Sequence, residues 1–356
     1  MEIRDIVFPA DFLNLTKEDT DKIINEMELN IDEDTDVKIH LYNIKNQLFI
    51  DSSVSSLIKD KIFAGKTSVK WYKFEFSEEE KAGIIERIES ESNFYNVVLP
   101  IDTAQINLPV KYTCIKIGDN KYMMRIMNPT GSRTINTGKE ISKIKSVNNI
   151  TVIIDIDRKY IEVRSDNVSA RKIINNIIAP LIGKEIIEVS ILKDYNDCLE
   201  TFRNSLNNGK FVDVTSKPDL DIILTRAQNE RLVNTLKALD EYFINKDIEG
   251  LKTELLEVEL GTEEIPFTQL FLAGLSQIGM ATRIDIDEDL TDQSLYGILK
   301  SYMTNQRGFI NFTLNDELGI PHYYTIQVGI KTTNSISFKS SATEQSIQYI
   351  RSKILG

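Results

Sequence analysis

Asp155, Glu162 and Arg164 come nearest to a chemical constellation in this chain. Ile150, Val152, Ile154 and Ile156 alternate with other residues on one run, and Ile161 and Val163 alternate with Tyr160, Glu162 and Arg164 on the next. This period of two predicts an antiparallel hairpin with one apolar and one polar face. With Arg158 and Lys159 at the turn, Asp155 is expected to face Glu162 across the ladder, with Arg164 two residues further on. Two carboxylates so held could bind a divalent ion that activates water against a phosphodiester. The same pattern also describes the solvated face of an amphipathic hairpin. The residues therefore suggest a metal-dependent nuclease as one reading, with Asp155, Glu162 and Arg164 as catalytic candidates.

The order Asp155, then Glu162-x-Arg164, resembles the Asp…Glu-x-Lys arrangement of restriction-type nucleases, with arginine in the lysine's place. That resemblance implies metal-assisted cleavage. An arginine cannot give up its proton at any working pH, so a role for the family's lysine as a proton donor or acceptor is not reproduced. On this reading, Asp155→Asn with Glu162→Gln is expected to remove cleavage and leave folding intact.

A second set of residues points to binding. Lys111, Lys116, Lys121, Arg125, Arg133, Lys139, Lys143 and Lys145 fall between residues 110 and 147, where only Asp119 and Glu140 oppose them. This local excess sits in a chain of formal net charge −12. A local field, and not the net charge, decides what a contact surface attracts. The runs at 112–117 and 121–127 predict a hairpin through Gly118, Asp119 and Asn120, followed by a polar loop, NPTGSRTINTGKE. Amides of a glycine-containing loop and nearby cations suit phosphate. The leading expectation is a non-catalytic, nucleic-acid-associated protein that contacts DNA or RNA phosphates through 110–147. Charge reversal of Lys121, Arg125 and Arg133 together is expected to abolish that binding while the fold survives. An assembly subunit serving protein partners is the alternative.

Other motifs are incomplete. Asp285, Asp287 and Asp289 begin like a calcium loop, but Leu290 and Tyr296 replace the glycine and the bidentate glutamate that such a loop requires. Asp32, Asp34 and Asp36 fail likewise at Val37 and Asn43. Gly131 and Gly138-Lys139 are spaced too widely for a Walker loop. The two histidines, His40 and His322, have no zinc spacing, and Cys114 and Cys198 form no CxxC. No metal and no cofactor are implied. Reduced cysteines, no run of 18 apolar residues and no cleavable leader pattern suggest a cytoplasmic protein outside the membrane. The richness in Ile, Lys and Asn suggests a bacterial source.

These residues must be positioned by an α+β, multi-domain chain with antiparallel hairpins and packed helices. Its expected parts are an α+β domain (1–107), a central block of basic hairpin, second hairpin and helix (108–183), a mainly helical region (184–288) and a C-terminal αβββα unit (289–356). In the first part, a helix capped by Thr16, a strand at 37–44, a helix at 53–63, a strand at 68–76, a helix boxed by Ser77 and Glu80, and a strand near 95–101 are expected. Asp166 or Ser169 should cap a helix carrying Ile173, Ile174, Ile177, Ile178 and Leu181, which Pro180 and Gly183 end. A long helix over 222–245 should bury Leu232, Leu236, Leu239 and Phe243, and Pro266 should open another. Loops sensitive to proteases are expected at 130–137 and 215–217. The last 68 residues resemble a double-stranded-RNA-binding module in length and element order. That resemblance implies phosphate contacts at the start of the last helix, where Lys339, Ser340, Ser341, Ala342, Thr343, Glu344 and Gln345 stand.

Overall fold

The computed structural model describes residues 1–32, 34–99, 110–136, 138, 141–218, 226–245, 248–257, 278–281, 289–316, 319–329 and 334–356. The protein is α+β. The chain divides into two compact units, Met1–Asp197 with Thr313–Gly356, and Cys198–Phe312.

In chain order the strands of the first unit are β1 (Ser68–Phe74), β2 (Lys111–Gly118), β3 (Lys121–Asn136), β4 (Ile141–Asp155), β5 (Tyr160–Arg164) and β6 (Ile186–Glu188). The second unit contributes β7 (Lys210–Pro218), β8 (Ile278–Ala281) and most of β9 (Met303–Asn315). The chain then supplies β10 (Pro321–Gly329) and β11 (Ile336–Phe338) to the first unit. There the strand order is β2-β3-β4-β5-β1-β11-β10, antiparallel throughout, with β6 also pairing β1. In the second unit β7 lies between β8 and β9, again antiparallel.

Alternation along β3, β4 and β5 builds two different cores. Tyr122, Met124, Ile126, Ile150, Val152, Ile154, Ile161 and Val163 form one, covered by the helix Glu78–Glu89 and by the helical run from Asn167 to Ile182. Asp166 caps that run through the amides of Val168 and Ser169. Ile178 and Ile182 are fully buried, each with about 1.5–3 kcal/mol of burial at most. The run passes through Pro180, and a π turn at Ile174–Ile178 widens it there, accommodating a ring that would crowd the preceding carbonyls. Gly183, with φ of 68°, ends it.

The other sheet face is also covered. Ile115, Met123 and Ile153 pack against Ile6, Phe12, Leu15, Leu41, Val54 and Ile58 of the N-terminal helical segment. The hairpin expected to be half solvated is thus buried on both faces, and every residue of β5 is buried. Segment 37–44 is helical, not extended: the Asp36 carboxylate accepts from the amides of Lys38 and Ile39 and starts a helix, Val37–Asn43. Segment 95–99 makes a bridge of Tyr95 to Cys114 and no longer strand.

Gly65 sits where the N-terminal segment meets the chain near Ala342, with φ of 68° and reciprocal amide-carbonyl bonds to Ala342. A Cβ there would stand 2.3 Å from Asn14 Oδ1, while Asn14 Nδ2 donates to the Ile62 carbonyl. Gly65→Ala is expected to cost about 1–3 kcal/mol. A urea midpoint unchanged in that variant would mean that Asn14 yields freely.

The second unit departs from expectation at 215–217. Thr215, Ser216 and Lys217 lie within β7 and pair with β9, and Thr215 and Ser216 pair with β8 as well. Hydrogen-bonded backbone does not fit a protease cleft, so limited proteolysis is expected to spare these bonds. The long helix is Arg226–Asn245, followed by Ile248–Glu257. Ala238 is buried and Leu236 and Leu239 half-buried, but Phe243 is 67% exposed. Leu232's side chain and the segment after Pro266 lie outside the described residues. In the C-terminal part the helix Ser294–Lys300, the strands β9, β10 and β11 and the helix Glu344–Leu355 reproduce the expected element order.

Candidate nucleic-acid interface

β3 and β4 do not stop at the edge of the sheet. β2 begins opposite Met127, and β5 ends opposite Thr151. Beyond those rows β3 and β4 pair, among the described residues, with each other alone, from Asn128↔Asn148 to Asn136↔Ile141, in eight cross-strand pairs. At about 3.3 Å per residue this is a ribbon about 25 Å long. The segment expected as a loop is therefore a strand as far as Asn136. A register shift between Pro129 and Gly131 marks its root, where Gly131 has φ of 131°. A bulge of this kind bends and twists the ribbon. Thr130, Gly131, Ser132 and Thr134 are exposed, as are Val147 and Asn148.

The eight cations divide by position. Arg133 pairs in register with Ile144, Lys143 with Thr134 and Lys145 with Ser132, so three belong to the ribbon. Lys139 lies outside the described residues. The other four stand on the sheet itself. Lys111 is half-buried at the start of β2. Lys116 is exposed on the edge strand and forms an ion pair of 3.0 Å with Glu89. Lys121 is half-buried, and burial, then the neighbouring Arg351 charge, push its ammonium below the usual lysine range.

Arg125 is 1% exposed. Its guanidinium bonds Asp11 and Thr151 and lies over the rings of Phe8 and Phe63 at 5.0 and 4.9 Å. Burial moves both partners of the ion pair toward neutrality, raising Asp11 and lowering Arg125, so desolvation outweighs their attraction. Arg125 is thus a core residue, and its reversal would place two carboxylates together in the interior. The fold would not survive the triple reversal expected from the sequence.

The proposed catalytic residues share one sheet face, but their register differs from expectation. Asp155 lies opposite Tyr160, and Glu162 opposite Ile153, because the turn takes four residues, Ile156 to Lys159. Asp155 accepts the Arg158 amide at 3.0 Å and so closes that turn. Glu162 is fully buried. Its Oε1 accepts from Arg164 Nε and Nη2 at 3.0 and 2.8 Å, and its Oε2 from Trp71 Nε1 at 2.9 Å and Arg351 Nε at 2.7 Å. Four donors fill the lone pairs that a metal would need. Arg164 also donates to the Phe63 carbonyl and, bidentately, to Glu344. Burial alone would raise the Glu162 carboxyl, but Arg351 and Arg164 hold it at about 2. Among the described residues no three His, Cys, Asp or Glu side chains converge as a metal site.

Sequence reasoning missed the partners of this cluster, Trp71, Glu344 and Arg351, and also Asp11, the partner of Arg125. One signal was available: Arg351 interrupts the apolar stripe Ile347, Ile350 and Ile354 of the last helix. A cation on a buried stripe implies an internal anion.

The start of that helix is likewise occupied. Thr343 caps it through the Ser346 amide, the Gln345 amide bonds Asp60, Ser340 Oγ accepts the Thr325 amide, and Glu344 clasps Arg164. These bonds spend the groups that a double-stranded-RNA-binding module would turn to phosphate. Of the calcium-like runs, Asp36 caps a helix and Asp289 pairs with Arg203, Asp32 and Asp34 are exposed, and Asp285 and Asp287 lie outside the described residues. Cys114 and Cys198 are free thiols. Among the described residues no helix is long and apolar enough to cross a membrane. No protein-family model matches this sequence, and neither does any curated protein.

Proposed function

We propose that this chain is a nucleic-acid-associated, non-catalytic protein that contacts phosphates through the β3–β4 ribbon. The supporting observation is the ribbon itself, a two-stranded projection between Asn128 and Val147 whose sequence holds Arg133, Lys139, Lys143 and Lys145 against Glu140 alone. The contact set is narrower than the sequence reading: Arg125 is spent in the core, Lys116 on Glu89, and Lys111 and Lys121 are half-buried on the sheet, so the proposal rests on the other four, Arg133, Lys139, Lys143 and Lys145. Phosphate contacts of this kind supply affinity and position, and their strength falls with salt as counterions are released.

Labelled DNA and RNA, titrated with the full chain at about 50 mM salt, test the proposal. Binding is expected to weaken with a log-log salt slope of about −3 to −4, one unit for each cation engaged. Replacing Arg133, Lys139, Lys143 and Lys145 with glutamine is expected to remove it at an unchanged melting temperature. An unmodified protein that ignores both nucleic acids at this salt would sink the reading.

The assembly-subunit reading draws on a different observation. Val233, Phe243, Ile244 and Ile248 on the helices Arg226–Asn245 and Ile248–Glu257 are 48–78% exposed. Apolar groups so placed favour a protein partner. Phe243→Ser with Ile244→Ser is expected to release that partner and leave nucleic-acid binding intact.

A further inference from the structure

We infer that the ribbon's ligand is duplex DNA, taken along a groove by two paired strands; this rests on the phosphate-binding reading above. Three observations support it. First, past the sheet β3 and β4 pair with each other over eight rows, and among the described residues no third strand joins them. The major groove of B-form DNA, about 12 Å wide, admits such a ribbon, whereas the deep, narrow major groove of A-form RNA excludes one.

Second, no Phe, Tyr or Trp lies between Asn128 and Val147. Single-stranded nucleic acid is held on aromatic platforms on which successive bases stack. A ribbon of Thr, Ser, Asn, Ile, Lys and Arg has no such platform. It can offer hydroxyls, amides and cations, the donor set for paired phosphates and groove edges.

Third, the root of the ribbon carries two features that disfavour a third strand. Pro129 has no amide to give a neighbouring strand, and the register shift to Gly131 breaks the edge where a third strand would join. Both devices lie just past the rows where β2 and β5 leave off, so among the described residues the sheet narrows to β3 and β4 where the cationic sequence begins.

The experiment uses the full chain and one 20-base-pair sequence in four forms: duplex DNA, each separate DNA strand, and duplex RNA. Fluorescence anisotropy at 50 mM salt is expected to show duplex DNA bound at least tenfold more tightly than the other forms. A variant carrying Arg133→Gln, Lys143→Gln and Lys145→Gln is expected to lose that preference, with the salt slope for duplex DNA falling by about three. Equal or tighter binding of a single strand or of duplex RNA, still dependent on these three cations, would overturn the duplex assignment and leave the phosphate reading standing. No binding of any form, or binding that the triple variant leaves unchanged, would overturn both.

Discussion

Glu162→Gln is expected to lower the stability of this protein by about 3–5 kcal/mol, the range for removing one partner of a buried ion pair. The glutamine keeps the volume and removes the charge. Arg164 retains Glu344, but Arg351, 8% exposed over the Tyr160 ring at 5.4 Å, loses the carboxylate it bonds. The damage falls on the seam between β5 and the C-terminal helix. Trp71 reports it directly, because the sole tryptophan donates to the same carboxylate. A shift of its emission should accompany the fall in the urea midpoint, and a loss under about 1 kcal/mol would mean that the cluster repacks around the amide.

The same carboxylate gives a pH dependence of definite sign. Its folded value of about 2 lies below the ordinary 4.5, so the unfolded chain binds the proton more readily. Its contribution is full above about pH 4.5 and is lost as pH falls through the interval down to about 2. Unfolding curves over that interval should show a slope that Glu162→Gln lacks. The expectation that Asp155→Asn with Glu162→Gln would leave folding intact is thereby reversed.

Arg125 and Asp11 should behave differently. Arg125→Met alone or Asp11→Asn alone leaves one buried group without its charge partner and is expected to cost about 3–5 kcal/mol. The double variant is expected to return to within about 1 kcal/mol of the parent, because desolvation already outweighs attraction in this pair. Asparagine at 11 can still accept the Phe8 amide that Asp11 bonds at 2.7 Å. Additive losses in the double variant would show that the pair is a net source of stability. Nucleic-acid affinity per folded molecule should be unchanged in that variant, which separates Arg125 from the ribbon cations.

Local pattern alone was enough for many elements. The hairpin at 150–164, the capping box of Ser77 and Glu80, the Asp166 cap, the isoleucine face of 173–182 and the last three strands and helix are encoded by neighbours within a few residues, through alternation, caps and helical spacing. That is why α+β was legible. Burial of a strand's second face is not local. Period-two alternation in β4 and β5 looks the same whether solvent or another layer covers the polar positions, and here residues near 11, 63, 344 and 351 cover them. Charge counting likewise treated eight cations as one surface. Only the tertiary arrangement sent Arg125 inward to Asp11, paired Lys116 with Glu89, and carried β3 and β4 past their neighbours as a ribbon. The physical reason is that a strand's hydrogen bonds can go to either side. Whether a polar run such as NPTGSRTIN ends as loop or ladder depends on the partner strand, which here is the chain returning from Ile141.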